Sequence, residues 1–426
     1  MKKLVILGAG TAGTMVANRM VGTLPSDWSV AVIDPKPTHL YQPGLLFLPF
    51  GARDEARNQK PRAKTLAPGV RWIQEPVRVI EPDRKKVILG PGMEVPYDLL
   101  VIASGSQIRP DETEGLLDGG WRQSIFDFYT LDGALALRDA LDTFEEGRLT
   151  LNIVEMPIKC PVAPLEFMFL ADAFFTKKGI RDRVELVYVT PLDGAFTKPI
   201  ASRLLGGLLE NKGIRVEADF ATGEVNADAK KLISYDEREV PYDLLVTIPT
   251  HMGAPFVAAS GLGNELSFVP THPHTLQSKA HDDIFVLGDA TDLPSSKAGS
   301  VAHFQSEVVA ENLERAVAGK SLEEGFDGHS NCFIESGFGK ALLIDFNYDT
   351  EPLPGKFPMP VLGPMSLLKE TRLNHLGKLA FRWIYWNALL PGRPIPVSNR
   401  MSMSGKARPK VAAPITKGGQ HASARG

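Results

Sequence analysis

Cysteine is scarce in this chain, in which 426 residues include only two, Cys160 and Cys332. Two thiols so far apart exclude a disulfide-rich secreted scaffold, which depends on several closely spaced pairs. They also lack the spacing of a structural zinc site, and we expect no metal centre. The two cysteines are therefore either redox-active thiols or small buried apolar side chains.

A strong charge of either sign and long apolar runs are also absent. The 47 basic and 50 acidic side chains give a net charge of −3, so we expect no nucleic-acid partner. No window of about 20 residues is apolar enough to span a bilayer. Residues 1–8 contain an apolar run too short for a signal peptide, and they lead directly into a glycine motif. We interpret them as a first strand and expect no cleaved export signal.

The glycine motif predicts a dinucleotide-binding unit. Gly8, Gly10 and Gly13 follow a short apolar strand and open a predicted helix. The first glycine permits a tight turn, the second admits a pyrophosphate, and the third allows the helix to pack closely on the strand. A second strand over 29–33 ends at Asp34, which is placed for a ribose hydroxyl. A glycine-rich turn without a ligand is the alternative, and the surrounding strands and helix favour binding.

Two later apolar strands end in small or acidic residues. Ser104 and Gly105 end the first, and Gly288 and Asp289 end the second. Each segment alone could be an ordinary core strand. Together with the glycine motif they resemble flavoproteins that contain two dinucleotide-binding domains. The resemblance implies FAD as the cofactor and Asp289 as the residue that binds its ribityl chain.

The second predicted βαβ unit has no glycine where a nucleotide loop needs one. Strands over 149–154 and 184–189 flank a helix at about 164–178, and the loop 155–164 contains three prolines. Side chains and prolines there would block the close approach of a pyrophosphate. We therefore predict a Rossmann-like domain that has lost NAD(P).

The chain as a whole resembles sulfide:quinone oxidoreductases, which are related to flavocytochrome c sulfide dehydrogenase and to type II NADH dehydrogenases. The resemblance covers about residues 1–395, and its specific part is a cysteine at both family positions, Cys160 and Cys332. It implies that HS⁻ attacks a disulfide or polysulfide between these cysteines, and that two electrons pass through FAD to a membrane quinone.

The chain departs from the family's pattern in three ways. It lacks a third cysteine before the Cys160 position and a cysteine that could link the flavin covalently, so FAD is expected to be noncovalent. No histidine falls between His39 and His251, so no histidine is assigned to proton transfer.

Three charged residues complete the predicted site. Lys159 and the start of the predicted helix would favour a Cys160 thiolate. Glu166, six residues later, is a general base near the sulfur or a solvated helix residue. The resemblance implies that Lys297 and Gly299 lie against the flavin pyrimidine ring and stabilise its reduced form. A surface lysine is the alternative reading of Lys297.

The last hundred residues predict quinone and membrane contacts. By resemblance, Phe346, Phe381 and Tyr385 line a quinone pocket, although each could be an ordinary core aromatic. Residues 371–390 predict a helix that is apolar except for a narrow polar stripe, formed by Thr371, His375, Lys378 and Arg382. Such a helix suits a membrane interface, and packing on the protein itself or on a dimer partner is the alternative.

We predict an α/β fold with two Rossmann-like dinucleotide-binding domains and a C-terminal membrane-docking region. The predicted segments are an FAD-binding segment at 1–110, a degenerate NAD(P)-like domain at 111–265, a second FAD-binding segment at 266–325, a quinone and membrane region at 326–396, and a basic disordered tail at 397–426. The tail carries six basic residues and no acid, which could add attraction to anionic lipid.

The predicted function is that of a peripheral membrane enzyme with sulfide and membrane quinone as substrates. The missing signal favours the cytoplasmic side and leaves the periplasmic side open, and homo-oligomerisation is also left open. One alternative is a type II NADH:quinone oxidoreductase. The other is a flavin-binding sulfur carrier or sensor without turnover.

Overall fold

The computed structural model describes residues 1–51, 55–359, 363–393, 395 and 397–407. The α-helices in these ranges are α1 (Thr11–Thr23), α2 (Leu131–Thr143), α3 (Ala163–Lys178), α4 (Pro199–Asn211), α5 (Pro255–Ala259), α6 (Gly299–Val317) and α7 (Arg372–Ile384). The strands are β1 (Lys2–Leu7), β2 (Trp28–Ile33), β3 (Thr38–Leu40), β4 (Gln59–Pro61), β5 (Arg71–Ile73), β6 (Val77–Glu81), β7 (Lys86–Leu89), β8 (Glu94–Pro96), β9 (Leu99–Ile102), β10 (Ser106–Ile108), β11 (Ile125–Phe126), β12 (Gly147–Ile153), β13 (Val184–Val189), β14 (Ile214–Glu217), β15 (Thr222–Asn226), β16 (Lys231–Ser234), β17 (Glu239–Pro241), β18 (Leu244–Ile248), β19 (His251–Gly253), β20 (Ile284–Val286), β21 (Ser330–Gly337), β22 (Lys340–Phe346), β23 (Gly355–Phe357) and β24 (Met365–Leu367).

The N-terminal strand belongs to a parallel sheet in the order β20-β9-β1-β2-β5. Apolar side chains of α1 and α6 pack on one face, and those of α5 and the small sheet β6-β7-β8 pack on the other. Because both faces are covered, the strands are continuous apolar runs rather than alternating ones. The carboxyl ends of β1, β9 and β20 therefore meet at one edge, where the predicted glycine and aspartate motifs lie.

A second parallel sheet has the order β11-β18-β12-β13-β14. Helices α2, α3 and α4 cover one face, and the antiparallel sheet β15-β16-β17 covers the other. An antiparallel pair of β10 and β19 joins the two units. The α/β class with two Rossmann-like units is thus confirmed, while the exact segment boundaries remain predictions.

A C-terminal sheet, in the order β21-β22-β24-β23, lies between the second unit and the last helix. Its strand β21 contacts α3, and α7 lies across β22. This arrangement brings residues of β21 and α7 next to the start of α3. The loop between β12 and α3 therefore faces the C-terminal sheet.

The predicted C-terminal helix is present, and it is turned with its polar stripe inward. The Thr371 hydroxyl caps its start by accepting a hydrogen bond from Asn374 N at 3.0 Å, and a π-helical turn, Tyr385–Leu389, continues it. Four of its large apolar side chains are exposed: Leu373, Leu376, Leu379 and Trp383. None of the helices in the described ranges combines the length and apolar character needed to span a bilayer.

The prediction of a disordered tail from residue 397 is wrong for residues 397–407. The buried Lys406 ammonium pairs with Asp345, and Lys356 N donates to Gly405 O at 2.9 Å. His329 Nδ1 contacts Ser398 O at 2.9 Å. Buried carboxylate and imidazole partners therefore hold this segment against the C-terminal sheet. The remainder of the predicted tail, 408–426, lies outside the described residues.

Candidate active site

The glycine turn after β1 has the steric demands of a pyrophosphate-binding loop. Gly8 has a φ of 95°, where a side chain is strained. An added Cβ at Gly13 would collide with the Gly8 carbonyl, so this position requires glycine. At Gly10, in contrast, no described atom lies within 4 Å of an added Cβ. The turn is therefore closed toward the protein and open at Gly10, where the N-terminus of α1 offers N–H groups to an anion.

Asp34 follows β2 at the edge of this turn. Its carboxylate accepts hydrogen bonds from Ala9 N at 2.8 Å and Lys36 N at 2.9 Å. The buried Arg62 guanidinium lies 3.4 Å from the carboxylate and donates to Lys36 O at 2.6 Å. Sequence reasoning missed Arg62, because it lies in a short 3₁₀ turn without a recognisable motif.

The ends of β9 and β20 complete a polar cradle. Ser104 Oγ, Ser106 Oγ and His251 Nε2 are buried, and none has a hydrogen-bond partner among the described residues. Such orphaned atoms indicate groups that a bound polar ligand would satisfy. Burial raises the pKa of the Asp289 carboxyl, against the opposing effect of two neighbouring lysines. Ser104 and Asp289, which follow β9 and β20, fit a dinucleotide that lies along the edge of the first sheet.

Lys297 is buried, so its reading as a surface lysine is wrong. Its ammonium donates to Asp289 O at 3.0 Å and to Thr291 O at 2.7 Å, and it lies 3.9 Å from the Phe268 ring centroid. Burial lowers its pKa to about 8. Gly299 begins α6 nearby, and an added Cβ there would contact no described atom. Contact of Lys297 and Gly299 with a flavin stays a prediction.

Cys160 lies in the glycine-free loop between β12 and α3. Its φ of 48° is in the left-handed region, which costs a non-glycine residue on the order of 1–3 kcal/mol. The strained position is held by Cys160 N, which donates to Lys297 O at 2.7 Å, and by Ala163 N, which donates to Cys160 O at 2.8 Å. The loop of the second unit is thereby fastened to the segment that precedes α6 in the first unit.

Cys332 reaches the same region from the C-terminal sheet. It lies on β21 opposite Ile344, it is buried, and its side chain belongs to the apolar cluster against which Cys160 packs. Both residues are free thiols. The structure thus brings together two cysteines that come from separate units of the fold.

The predicted Cys160 thiolate is wrong for the free thiol. Burial raises the pKa of Cys160 well above its usual range, and Glu166 and Cys332 raise it further. Burial likewise raises the pKa of Cys332 to about 12. The backbone N–H of Ala163 at the start of α3 and the charge of Lys378 lower the pKa of Cys160, but burial outweighs both. The Lys159 ammonium is directed at Ser106 O, 3.4 Å away.

A buried group of charged side chains adjoins the cysteines. Glu166 is 1% exposed, so its reading as a solvated residue is wrong. Its carboxylate pairs with the Lys378 ammonium and accepts from Glu335 N at 2.7 Å. Burial raises the pKa of Glu166, and the positive charge of Lys378 opposes that rise. His375 Nδ1 lies 2.9 Å from both carboxylate oxygens of Glu335.

Sequence reasoning missed Lys378, Glu335 and His375 as site residues. Two of them, His375 and Lys378, were visible as part of the polar stripe on the C-terminal helix. A narrow polar stripe on a broadly apolar helix indicates that its polar side chains have buried partners in the protein. Glu335 lies within the segment around Cys332 and carried no signal of its own.

The three aromatics predicted for quinone do not form one group. Phe346 lies in the apolar cluster that contains Cys332, and the Lys198 ammonium is 5.5 Å from its ring centroid. Tyr385 and Phe381 lie in a separate cluster. The Tyr385 hydroxyl is 2.8 Å from Oγ1 of Thr11, the first residue of α1, and 2.6 Å from His39 Nε2. Quinone contact by these residues stays a prediction.

Comparison with known proteins gives a consistent result. The family model described as "Pyridine nucleotide-disulphide oxidoreductase" matches residues 2–147. The mitochondrial sulfide:quinone oxidoreductase of Mus musculus is 25% identical over 397 residues, which cover 92% of this chain and 86% of the relative. An NADH dehydrogenase-like protein of Mycobacterium tuberculosis is 31% identical over 247 residues, which cover 55% of this chain and 59% of that protein.

The fold has a close counterpart among solved structures. The X-ray structure of the sulfide:quinone oxidoreductase from Aquifex aeolicus is similar with a TM-score of 0.75 and 21% identity, over 92% of both chains. The resemblance predicted from the sequence is therefore confirmed, and the chain is an enzyme of the flavin-type oxidoreductase class.

Proposed function

We propose that this flavin-type oxidoreductase, a homologue of sulfide:quinone oxidoreductases, oxidises sulfide through Cys160 and Cys332 and reduces a membrane quinone. One observation carries the proposal. Two free cysteines from separate units, Cys160 and Cys332, lie at one apolar cluster. The backbone N–H of Cys160 also donates a hydrogen bond to the carbonyl of Lys297, beside the proposed nucleotide site. A pair of structural cysteines would need no such connection.

The cofactor in this proposal is FAD, held without a covalent link. Gly10 leaves room for the pyrophosphate, Asp34 would bind the ribose, and Asp289 would bind the ribityl chain. The Ser104 hydroxyl has no hydrogen-bond partner in the described part of the chain, which supports a polar ligand at this edge. When bound, FAD would supply the two-electron chemistry that connects sulfur to quinone.

The cysteines would act as a pair that accepts sulfur. HS⁻ attacks a disulfide between them, so that one new sulfur–sulfur bond forms, the old one breaks, and one cysteine leaves as a thiolate. The Lys378 charge lowers the pKa of both thiols and would stabilise that thiolate. Glu166, which lies close enough to raise the pKa of both thiols, would accept the proton of the new persulfide.

The C-terminal helix would dock the enzyme on a lipid surface. Glu166 and Glu335 hold Lys378 and His375 of its polar stripe toward the protein, and large apolar side chains of the helix are left exposed. Trp383 is 69% exposed and Leu376 is 58% exposed. A helix with exposed leucines, a tryptophan and basic residues is typical of one lying in a membrane interface. We therefore propose a peripheral membrane protein.

Quinone would reach the site along α7. Phe381 is the best placed of the three predicted aromatics, because it lies on this helix and is half-buried. Tyr385 is occupied by hydrogen bonds to Thr11 and His39 and is better described as a packing residue. Phe346 is better placed to cover Cys332 than to contact the lipid side.

The type II NADH dehydrogenase alternative finds less support. Its nucleotide would bind after β12, where the chain contains no glycine from residue 154 to residue 162. That loop is instead paired with Lys297 through backbone contacts of Lys159 and Cys160. We propose that the second unit has lost NAD(P) binding.

The decisive test is anaerobic. Sulfide is added to one sample of the purified yellow protein and NADH to another, and flavin absorbance is followed. Bleaching by sulfide alone, reversed by a soluble quinone, is expected. Bleaching by NADH alone would establish the NADH alternative, and bleaching without quinone turnover would indicate a sulfur carrier or sensor.

Single cysteine variants test the role of the pair. Cys160→Ser and Cys332→Ser are each expected to keep bound flavin and to lose sulfide-dependent quinone reduction. Retention of that activity in either variant would refute the sulfur mechanism proposed for the pair.

A further inference from the structure

A row of ionisable side chains connects the cysteines to the surface beside α7. Glu166 lies close enough to both thiols to raise their pKa values, and it pairs with Lys378. Glu335 lies on the far side, where its backbone N–H binds Glu166 and its carboxylate binds His375. Glu335 is 1% exposed, whereas the His375 side chain is 24% exposed. The buried row therefore reaches solvent at His375.

The proposed reaction needs a proton from solvent. Oxidation of one HS⁻ to sulfur at the formal oxidation state of zero releases two electrons and one proton. Reduction of a quinone to a quinol consumes two electrons and two protons. The balance is HS⁻ plus quinone plus one proton, giving sulfur and quinol, so one proton must enter in each turnover.

We propose that His375 and Glu335 form the path by which this proton reaches the buried site. The inference rests on the proposed function and adds two residues to it. His375 takes the proton at the surface and passes it to the Glu335 carboxylate. The Lys378 ammonium acts on the Glu335 carboxylate and pairs with Glu166, so the row continues through this pair. The pair would give up a proton at each quinone reduction and would have to be reprotonated from solvent.

The surroundings of His375 favour a proton path over a simple ion pair. Burial raises the pKa of Glu335, so this carboxylate holds a proton more readily than an exposed one does. The charged groups that face it are His375 and Lys378 from α7 and Glu166 from α3. Of the strands packed on α7, β22 carries Lys340 at its exposed end and Asp345, which is bound to His329 and Lys406 instead.

The position of His375 on α7 also suits a role in proton uptake. It lies on α7 only one residue from Leu376, which is part of the exposed apolar face. A proton taken up here would enter next to the surface proposed to contact lipid. Quinone and proton would then reach the site along the same helix.

The test separates the two half-reactions. His375→Asn is compared with wild type and with His281→Asn, a control at a histidine remote from this row. Reduction of the flavin by sulfide and its reoxidation by soluble quinone are followed by stopped flow under anaerobic conditions. Proton uptake is recorded in weakly buffered solution with an indicator dye across a pH series.

The expected result is a slower quinone half-reaction alone. Loss of a positioned acid–base group predicts a decrease on the order of 100-fold in the reoxidation rate, growing as pH rises. Proton uptake should slow equally, and reduction of the flavin by sulfide should be unchanged. Added imidazole should restore part of the rate. His375→Gln serves as a second variant should the first unfold.

Two results would overturn the inference. Wild-type reoxidation rates and pH profile in both variants would exclude His375 from proton transfer, and equal slowing of both half-reactions would indicate a structural role. A wild-type enzyme that sulfide reduces and quinone does not reoxidise would instead overturn the proposed function.

Discussion

The Lys378 ammonium of α7 pairs with the Glu166 carboxylate of α3, and both groups are shielded from solvent. The contact joins the helix that carries the exposed apolar face to the helix that follows Cys160. A buried ion pair contributes little net stability by itself, because both charges give up their hydration. Its value here is positional, since it fixes a positive charge beside the thiols.

Removing one member of this pair should be costly. In Lys378→Met the Glu166 charge stays buried without its partner, which predicts a loss of about 3–5 kcal/mol in the free energy of unfolding. Denaturant unfolding of the flavin-loaded protein measures the loss. Lys177→Met, at an exposed lysine of α3, is the matched control and should change stability by less than about 0.5 kcal/mol.

The double variant Lys378→Met with Glu166→Leu tests the cause. If an uncompensated charge is responsible, removing both charges should recover much of the lost stability. A double variant as unstable as the single one would attribute the loss to packing of the lysine stem.

Gly10 offers a test of the nucleotide cradle that is separate from folding. Gly10→Ala adds a methyl group that meets no described protein atom and would meet a bound pyrophosphate. We expect a protein that folds normally. Its bound flavin, measured by absorbance after gel filtration, should fall by about tenfold or more. Gly22→Ala, at a second uncrowded glycine in α1, should retain flavin at the wild-type level. Full flavin occupancy in Gly10→Ala would contradict the placement of the pyrophosphate.

The sequence was sufficient for the two Rossmann-like units because their signals are local. A strand of continuous apolar residues, a glycine turn and an acid after the next strand specify one βαβ unit. The absence of glycine from the loop after β12 could be recognised in the same way. The order of residues 397–407 could not be predicted, because it depends on the pairing of Lys406 with Asp345, a residue remote in sequence.

The candidate site was predicted in part for the same reason. Cys160 and Cys332 were identified by resemblance, whereas the charge state of their thiols depends on burial that no local pattern specifies. The polar stripe was recognised, but helical periodicity does not tell which face meets the protein. Its partners, Glu166 and Glu335, come from α3 and β21, so only the tertiary fold reveals the pairing.

The exposed face of α7 predicts a specific lipid contact. Burying one leucine in lipid is worth about 1.5–3 kcal/mol, so Leu376→Glu should weaken vesicle binding by at least about tenfold. Co-flotation with anionic vesicles measures the change, while reduction of a soluble quinone should be unaffected. Leu117→Glu, at an exposed leucine in the other part of the molecule, is the control. Unchanged flotation of Leu376→Glu would favour packing against a protein partner, which sedimentation would detect.

Cys332 predicts a stability that falls at high pH. Burial raises the pKa of this thiol to about 12 from an ordinary value of about 8.5, so the unfolded chain ionises first. The thiol's contribution to stability is therefore complete below about pH 8.5 and is lost as pH rises toward 12. Denaturant midpoints of wild type should fall across this window more steeply than those of Cys332→Ala.

The burial of Cys332 also predicts slow alkylation by iodoacetamide at pH 8, because almost no thiolate is present in the folded protein. Rapid alkylation of Cys332 at that pH would mean that the thiol is more accessible to water than its place in the apolar cluster indicates.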